Sequence, residues 1–375
     1  MGITVIPVIT KQEQMKFIKL PWKIYKGNSC WVPPFIKDML ELLNPGQGDK
    51  LKRNGNQAFL ALVDGIPAGR IYDGIDSTLN EKKNIKLGYF SLFECIDDVV
   101  VAKALFDEAF KWFSEKGMQK VIGPVSPTGT DGDEYKGLLV DCFEKPPAIM
   151  NSYNPPYYKE LLENCGFTKD YDVFAYFLSK EILFGKNPEK VIDYAKRRYN
   201  FRVDTLDLKN IDREIKDLKH VMDLAVPDEW PDLVPPSLED VREMADKLLV
   251  YADPDLISIA RSGDEAIGFT IALPDYNQVL IHMNGRLNPV SALKYFWYKR
   301  KINSARVFVM FVIPAFRSKG VSYAIYYNTF RNGINKGYIY GEGSTIGEEN
   351  TRMRADIESF GGQKYKTYRI FKKEV

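Results

Sequence analysis

The six residues Arg317-Ser318-Lys319-Gly320-Val321-Ser322 place two cations, two hydroxyls and a glycine between an apolar run and an apolar-periodic helix. Glycine tolerates any φ, so such a turn can aim consecutive backbone N–H groups, and the positive end of a helix dipole, at one anion. The run before it, Val307 to Ile313, is rich in β-branched and aromatic residues and predicts a buried strand that Pro314 ends. Strand, glycine turn and helix are by themselves commonplace. Arg317 and Lys319 either supply charge to a phosphate or are the solvated side chains of an ordinary turn.

The residues beyond the turn narrow the choice. The helix Lys319 to Asn335 leads to a second strand, Gly337 to Thr345, and then to a helix that opens at Glu348-Glu349-Asn350 and stops at Gly361-Gly362. With these parts in this order the sequence resembles the GNAT superfamily of acyl-CoA-dependent N-acyltransferases. The family's pyrophosphate loop runs Gln or Arg, two residues, Gly, one residue, then Gly or Ala; here it is Arg317 to Ser322, with serine in the last place. The next motif, an Asn early in the following helix and a Gly-aromatic at its end, falls on Asn350 and Gly361, with Gly362 where Phe is usual. The resemblance covers essentially the whole chain and extends to a subgroup of tandem bacterial proteins of undefined substrate. The phrases Trp31-Val-Pro-Pro, Gly69-Arg70-Ile71, Gly123-Pro124 and Leu273-Pro-Asp-Tyr-Asn277 carry that part of it.

Acyl transfer from a thioester to an amine needs adjacent reactants, a route for the amine proton and donors for the oxyanion. The resemblance implies that backbone N–H groups of Ser318, Lys319, Gly320, Val321 and Ser322 hold the pyrophosphate, with Arg317 adding charge. The edge of the preceding strand, at Val312 and Ile313, pairs with the pantetheine and polarises the thioester. Asn350 either contacts the pantetheine or caps its helix. The family often places a Tyr in the last helix as acid for the leaving thiolate, but seven residues after Asn350 stands Ile357, and the matching place in the first half is Leu162. Tyr326 and Tyr327 are the replacements, or else core residues of an amphipathic helix. Glu342, between Gly341 and Gly343, is either the general base or a structural ion-pair partner. Asp275 and Asn277 begin an insertion expected to close the acceptor side. Its aromatic, basic helix, Val290 to Lys301, is a lipid or partner surface or packs on the other domain.

The element order of the second half also runs through the first. Strand Ala58 to Val63, an Asp64-Gly65 turn and strand Ile66 to Ile75 make a hairpin; then come strand Ile85 to Phe93, helix Val99 to Lys116, strand Val121 to Val125 and a capped helix from Asn154 to Gly166. A long polar loop, Ser126 to Gly137, is of a length more often functional than decorative. The repetition implies a tandem duplication, with domains 1–182 and 190–375 joined near Leu183 to Glu189. The fold class is α/β, each domain having a central mixed, mostly antiparallel sheet flanked by helices. Glu94, Asp97 and Asp98 stand where the first half's loop should be, and would repel a pyrophosphate, so only the second domain should hold acyl-CoA.

Composition supports this class. In 375 residues, hydrophobic residues are 45% and charged ones 27%, the values of a globular chain of one or two domains. A net charge of +2 is too small for a dedicated nucleic-acid binder. No run of about 18 apolar residues predicts a membrane span, and the N-terminus reads as a strand, not a signal peptide. Four cysteines without ligand spacing and two histidines argue for reduced thiols in a cytoplasmic protein with no metal. The expectation is therefore a cytoplasmic acyltransferase using acetyl-CoA or another acyl-CoA on an unknown small-molecule or peptide amine, acetyl being the first expectation. As an internal pseudo-dimer it suits a monomer. Two rivals stand beside it: a non-catalytic acyl-CoA or small-ligand binder, and a peptidoglycan-type aminoacyl transferase fed by aminoacyl-tRNA.

Overall fold

The computed structural model describes residues 2–44, 55–127, 136–181, 188–226 and 235–375. The run Pro45-Gly46-Gln47-Gly48, whose composition predicts a loop, most of the loop 126–137 and most of the joint near 183–189 lie outside the described residues. The described chain forms two compact units, each an α/β assembly of a mixed sheet and flanking helices.

In the first unit, β1 (Ile3–Pro7) leads to α1 (Lys11–Ile24) and α2 (Ile36–Leu43), then to the hairpin β2 (Asn56–Val63) and β3 (Ile66–Gly74). A capping box starts α1: Thr10 Oγ1 accepts from the Glu13 N–H at 3.3 Å, and Glu13 Oε2 accepts from the Thr10 N–H at 2.7 Å. Asp64 and Gly65 take φ of 48° and 81°, the left-handed pair a two-residue hairpin demands. The helix α3 (Ser77–Lys83), β4 (Leu87–Cys95), α4 (Val99–Glu115), β5 (Lys120–Gly123), β6 (Leu138–Leu139) and α5 (Tyr158–Asn164) complete its first run. Val101, Ala102, Leu105, Phe106, Ala109 and Phe113 recur at helical spacing along α4 and bury its inner face under the sheet.

The second unit is built from α6 (Pro188–Tyr199), β8 (Arg202–Thr205), α7 (Ile211–Ala225), α8 (Leu238–Leu249), β9 (Ile257–Ser262), β10 (Glu265–Pro274), β11 (Ser304–Val312), α11 (Val321–Asn335), β12 (Tyr340–Gly347) and α12 (Thr351–Ser359). Its sheet runs β12-β11-β10-β9-β8, antiparallel except for the parallel pair β11 and β12. Ile259, Ile267, Phe269 and Ile325 are fully buried between sheet and helices. The carboxylates of Glu214 and Asp217 on α7 hold Arg261 of β9 at 3.0 and 2.8 Å. A buried guanidinium is tolerable only when partnered in this way.

The tandem reading cuts the chain once, between 182 and 190. The compact units interleave along the chain. The strand β7 (Thr168–Ser179) gives its first half to the first unit and its second to the second. The segment Asn277–Arg300, containing α9 (Asn277–Met283) and α10 (Pro289–Lys299), belongs to the first unit, as does Lys366–Val375 of β13 (Gln363–Glu374). There β13 lies antiparallel to β5, Phe371 opposite Gly123, and carries β6 at Tyr368 and Arg369.

Candidate active site

Parallel strands β11 and β12 pair only from Ser304 opposite Tyr340 to Val307 opposite Gly343. Beyond that point β11 continues to Val312 and β12 to Gly347, and no further pairs form between them. A central strand therefore opens an edge. The Ile313 N–H goes to Ile267 O at 3.0 Å on the β10 side. N–H groups alternate sides along a strand, so those of Met310 and Val312 face the opening. Val312 is thus placed to pair with an extended ligand; the N–H of Ile313 is spent elsewhere.

At the end of β11, Pro314–Phe316 makes one tight turn, and Ser318 and Gly320 follow with φ of 60° and 77°. Gly320 is the N-cap of α11 and no side chain caps the helix. The first-turn N–H groups of α11, at Val321 and Ser322, thus have no intrahelical acceptor, the arrangement with which a helix start can cradle an anion. Gly320 is needed twice, because a Cβ there would also lie 3.0 Å from the Ala195 Cβ of α6. Arg317 does not point its charge at the cradle: its Nε donates to Val312 O at 3.1 Å and its Nη2 to Ala225 O at 2.8 Å, tying the turn to β11 and the end of α7. Lys319 keeps its ammonium over the rings of Phe316 and Tyr199, at 4.9 and 5.6 Å. Ser322 Oγ donates to Asp356 Oδ2 at 3.4 Å. Burial raises the Asp356 carboxyl above its ordinary value, against the pull of that hydroxyl and of Arg352.

Glu342 is buried at the paired end of the same two strands, opposite Arg306. Ser344 Oγ donates to Glu342 Oε1 at 2.5 Å, and the Tyr365 hydroxyl donates to Glu342 Oε2. Arg306, wholly buried, gives its Nε to Ser344 Oγ at 2.8 Å and its Nη2 to Ser344 O at 3.1 Å. From Arg306 to Val312, β11 covers about 20 Å, comparable with an extended pantetheine arm. β11 thus leads into an uncapped helix turn at one end and, at the other, lies beside a carboxylate of β12 with two hydroxyls on it.

The remaining candidates are scattered. Tyr326 packs on Phe360, its hydroxyl 3.2 Å from Met353 Sδ, and burial, with Asp356 nearby, raises its pKa. Tyr327 turns the other way and donates to Glu189 Oε1 at 2.8 Å. Asn350 caps α12, accepting from the Met353 N–H at 3.2 Å. Ile357 fills the place of the absent Tyr: it is buried, and its Cδ1 occupies the space that a Cβ on Gly343 would need. Asp275 latches β10 to β11, its N–H on Ser304 O at 2.9 Å and its Oδ2 accepting from Ser304 Oγ at 3.2 Å. Asn277 falls in the first unit, donating to Pro147 O at 3.0 Å. Sequence reasoning missed Tyr365, Ser344 and Arg306; the only signals in the sequence were a charged Arg306 at the head of an apolar run and Ser344 two residues after Glu342.

The first unit repeats the strand geometry without the cradle. Its parallel pair β4 and β5 joins only Leu87–Tyr89 to Lys120–Ile122. Where the loop should start, Tyr158 Oη accepts from the Cys95 N–H at 2.9 Å and donates to Glu94 Oε2 at 2.7 Å, and Tyr157 donates to Cys95 O at 2.8 Å. The two phenols engage the backbone at the end of β4, and Asp98 Oδ1 caps α4, accepting from the Val100 and Val101 N–H groups at 2.8 and 3.4 Å, so the first-turn donors that an anion would need are taken.

No family model matches the chain. A bacterial ceramide synthase from Caulobacter vibrioides is 28% identical over 100% of this chain and 98% of its own length. Protein YghO from Escherichia coli is 27% identical over 98% and 94%. Among solved structures, a tandem GNAT protein from the clavulanic acid biosynthesis pathway superposes with a TM-score of 0.59 at 10% identity, covering 100% of this chain and 98% of that one. A GCN5-related N-acetyltransferase from Sphaerobacter thermophilus gives 0.53 at 10% identity, over 99% and 95%. Both likenesses run the length of the chain: this protein has the tandem GNAT fold.

Proposed function

We propose that the protein is an acyl-CoA-dependent N-acyltransferase whose acceptor is the amine of a long-chain amino alcohol. The observation that carries the acyl-transfer reading is the splay of β11 from β12 after Val307 and Gly343, with the uncapped first turn of α11 at its open end. Pantetheine adds to the β11 edge, and the diphosphate takes the N–H groups after Gly320. The acceptor class rests on the full-length relative named as a ceramide synthase, since ceramide is the amide of a fatty acid and such an amine.

In the reaction the amine nitrogen attacks the thioester carbonyl carbon, the C–S bond breaks and the nitrogen loses one proton. Glu342 accepts that proton, directly or through the hydroxyl of Ser344, and Tyr365 protonates the departing thiolate in place of the absent helix Tyr. Buried Arg306 fixes Ser344 and balances the carboxylate's charge. Tyr326 and Tyr327 are left with packing and Glu189 respectively.

Calorimetric titration with acetyl-CoA, a long-chain acyl-CoA and CoA, repeated on Gly320→Glu, is the test, followed by thiol release with a long-chain 2-amino-1,3-diol and with short amines. Binding lost in the variant and thiol release with the long-chain amine are expected. If the folded wild type binds none of the three, acyl transfer is refuted; release with short amines only refutes the acceptor class. Binding without release from any amine favours a non-catalytic acyl-CoA binder, the reading that Ile357 in the Tyr place supports.

A further inference from the structure

Helix α10 presents an apolar stripe to solvent. Ser291, Tyr295 and Tyr298 recur at three- and four-residue spacing on its inward side, Ser291 buried and the two tyrosines half-buried. On the outward side Val290, Leu293 and Trp297 line up, flanked by Phe296 and preceded by Leu287. These five are 62, 72, 65, 67 and 61% exposed. No other stretch of eleven described residues exposes more than three large apolar side chains, so the cluster is not the ordinary scatter of surface hydrophobics.

The charge along the segment that carries the stripe has one sign. From Asn277 to Arg300 the sequence contains Arg286, Lys294, Lys299 and Arg300 and no Asp or Glu. Lys299 and Arg300 are exposed at the end of the apolar stripe. The helix is also firmly rooted. Trp22 Nε1 donates to Asn284 Oδ1 at 2.8 Å, the Ile36 N–H donates to Gly285 O at 3.1 Å, and Pro34 O fills the space that a Cβ on Gly285 would need. A rigid base that holds Leu, Phe and Trp outward beside cations is the construction of an interfacial helix: the rings and branched chains enter the acyl boundary while lysine and arginine meet anionic headgroups.

We infer that the outward face of α10 docks the protein on an anionic lipid bilayer, lying in the interface without crossing it. Among the described residues no helix is long and apolar enough to cross a membrane. The inference stands on this helix alone and survives failure of the acyl-transfer reading, although a lipid surface is where a long-chain amine would be met.

The test is co-sedimentation of the full chain with vesicles of phosphatidylcholine alone and of phosphatidylcholine mixed with phosphatidylglycerol, beside the variants Leu293→Ser/Phe296→Ser and Lys299→Ala/Arg300→Ala. The wild type is expected to pellet with the mixed vesicles, and the apolar pair to partition about tenfold less or worse. The charge pair loses the part of binding that high salt also removes. Trp297 emission shifts to the blue on binding, read as the difference from Trp297→Phe. All the substituted side chains are exposed, and melting curves check that the variants fold as the wild type does. Equal partition of the wild type and the apolar pair overturns the inference. So does a wild type that ignores both vesicle types, including one that instead sediments as a dimer which the apolar pair abolishes.

Discussion

Tyr365, at the start of β13, donates its hydroxyl to Glu342, in the middle of β12. The pair puts a phenol and a carboxylate at the paired end of the two strands whose other ends open. If they are acid and base, Tyr365→Phe lowers kcat by about 10- to 100-fold and Glu342→Gln by about 100- to 10,000-fold, with acyl-CoA affinity retained. Steady-state kinetics beside calorimetric binding checks this. Equal losses in affinity and turnover, or unchanged kcat in Glu342→Gln, would mean that the network only braces the strands.

Arg317 and Lys319 separate two roles that their spacing suggests they share. With its guanidinium on two carbonyls, Arg317→Ala is expected to cost about 2–3 kcal/mol of stability. Lys319→Ala should melt normally and instead reduce the salt dependence of CoA binding. Chemical denaturation and titration at two ionic strengths distinguish them.

Asp356 stands beside the cradle with the wrong charge. Asp356→Asn removes a repulsion of about 1 kcal/mol and is expected to tighten CoA binding roughly fivefold at neutral pH. Its carboxyl titrates above the ordinary 3.8, so wild-type affinity should rise as pH falls towards that raised value, while the variant's stays flat over the same interval. Parallel pH profiles for the two proteins would remove Asp356 from the site.

Asp73 is completely buried on β3, with neither carboxylate oxygen hydrogen-bonded to any described residue, and burial pushes its pKa well above 3.8. The folded form therefore holds the proton more tightly than the unfolded form. Its contribution is complete below the ordinary value and is lost as pH rises through the raised one. Wild-type stability should decline over that range relative to Asp73→Asn, as denaturation midpoints from pH 4 upward will record; coincident curves would contradict the assignment.

Much of the fold was legible because local chemistry agreed with tertiary need. Asp64-Gly65 makes a turn wherever two apolar strands flank it, and Gly320 is required by its own φ. The last strand was hidden: Lys364, Lys366, Arg369, Lys372 and Lys373 interrupt any apolar alternation. It is a strand because partners far off in sequence absorb its charges, Lys366 on the carbonyls of Lys145 and Pro146 at 3.0 and 2.6 Å, Arg369 on Asp172 at 2.8 and 3.0 Å. Helix α6 was missed for a similar reason, since it buries only Ile192 and Ala195 and shows no full apolar face. In the site, the cradle was visible as a motif, whereas the Arg306–Ser344–Glu342–Tyr365 network depends on register between strands that no single stretch encodes.

The place of β13 beside β5 sets the order in which the chain can be finished. Phe371 meets Gly123 across nearly 250 residues, so the first unit's sheet is not complete when residues 1–173 have left the ribosome. Until the segment Lys366–Val375 emerges, β5 presents a bare edge open to pairing with any other chain, and chaperone dependence during synthesis, rather than stability once made, is what this topology exposes to selection.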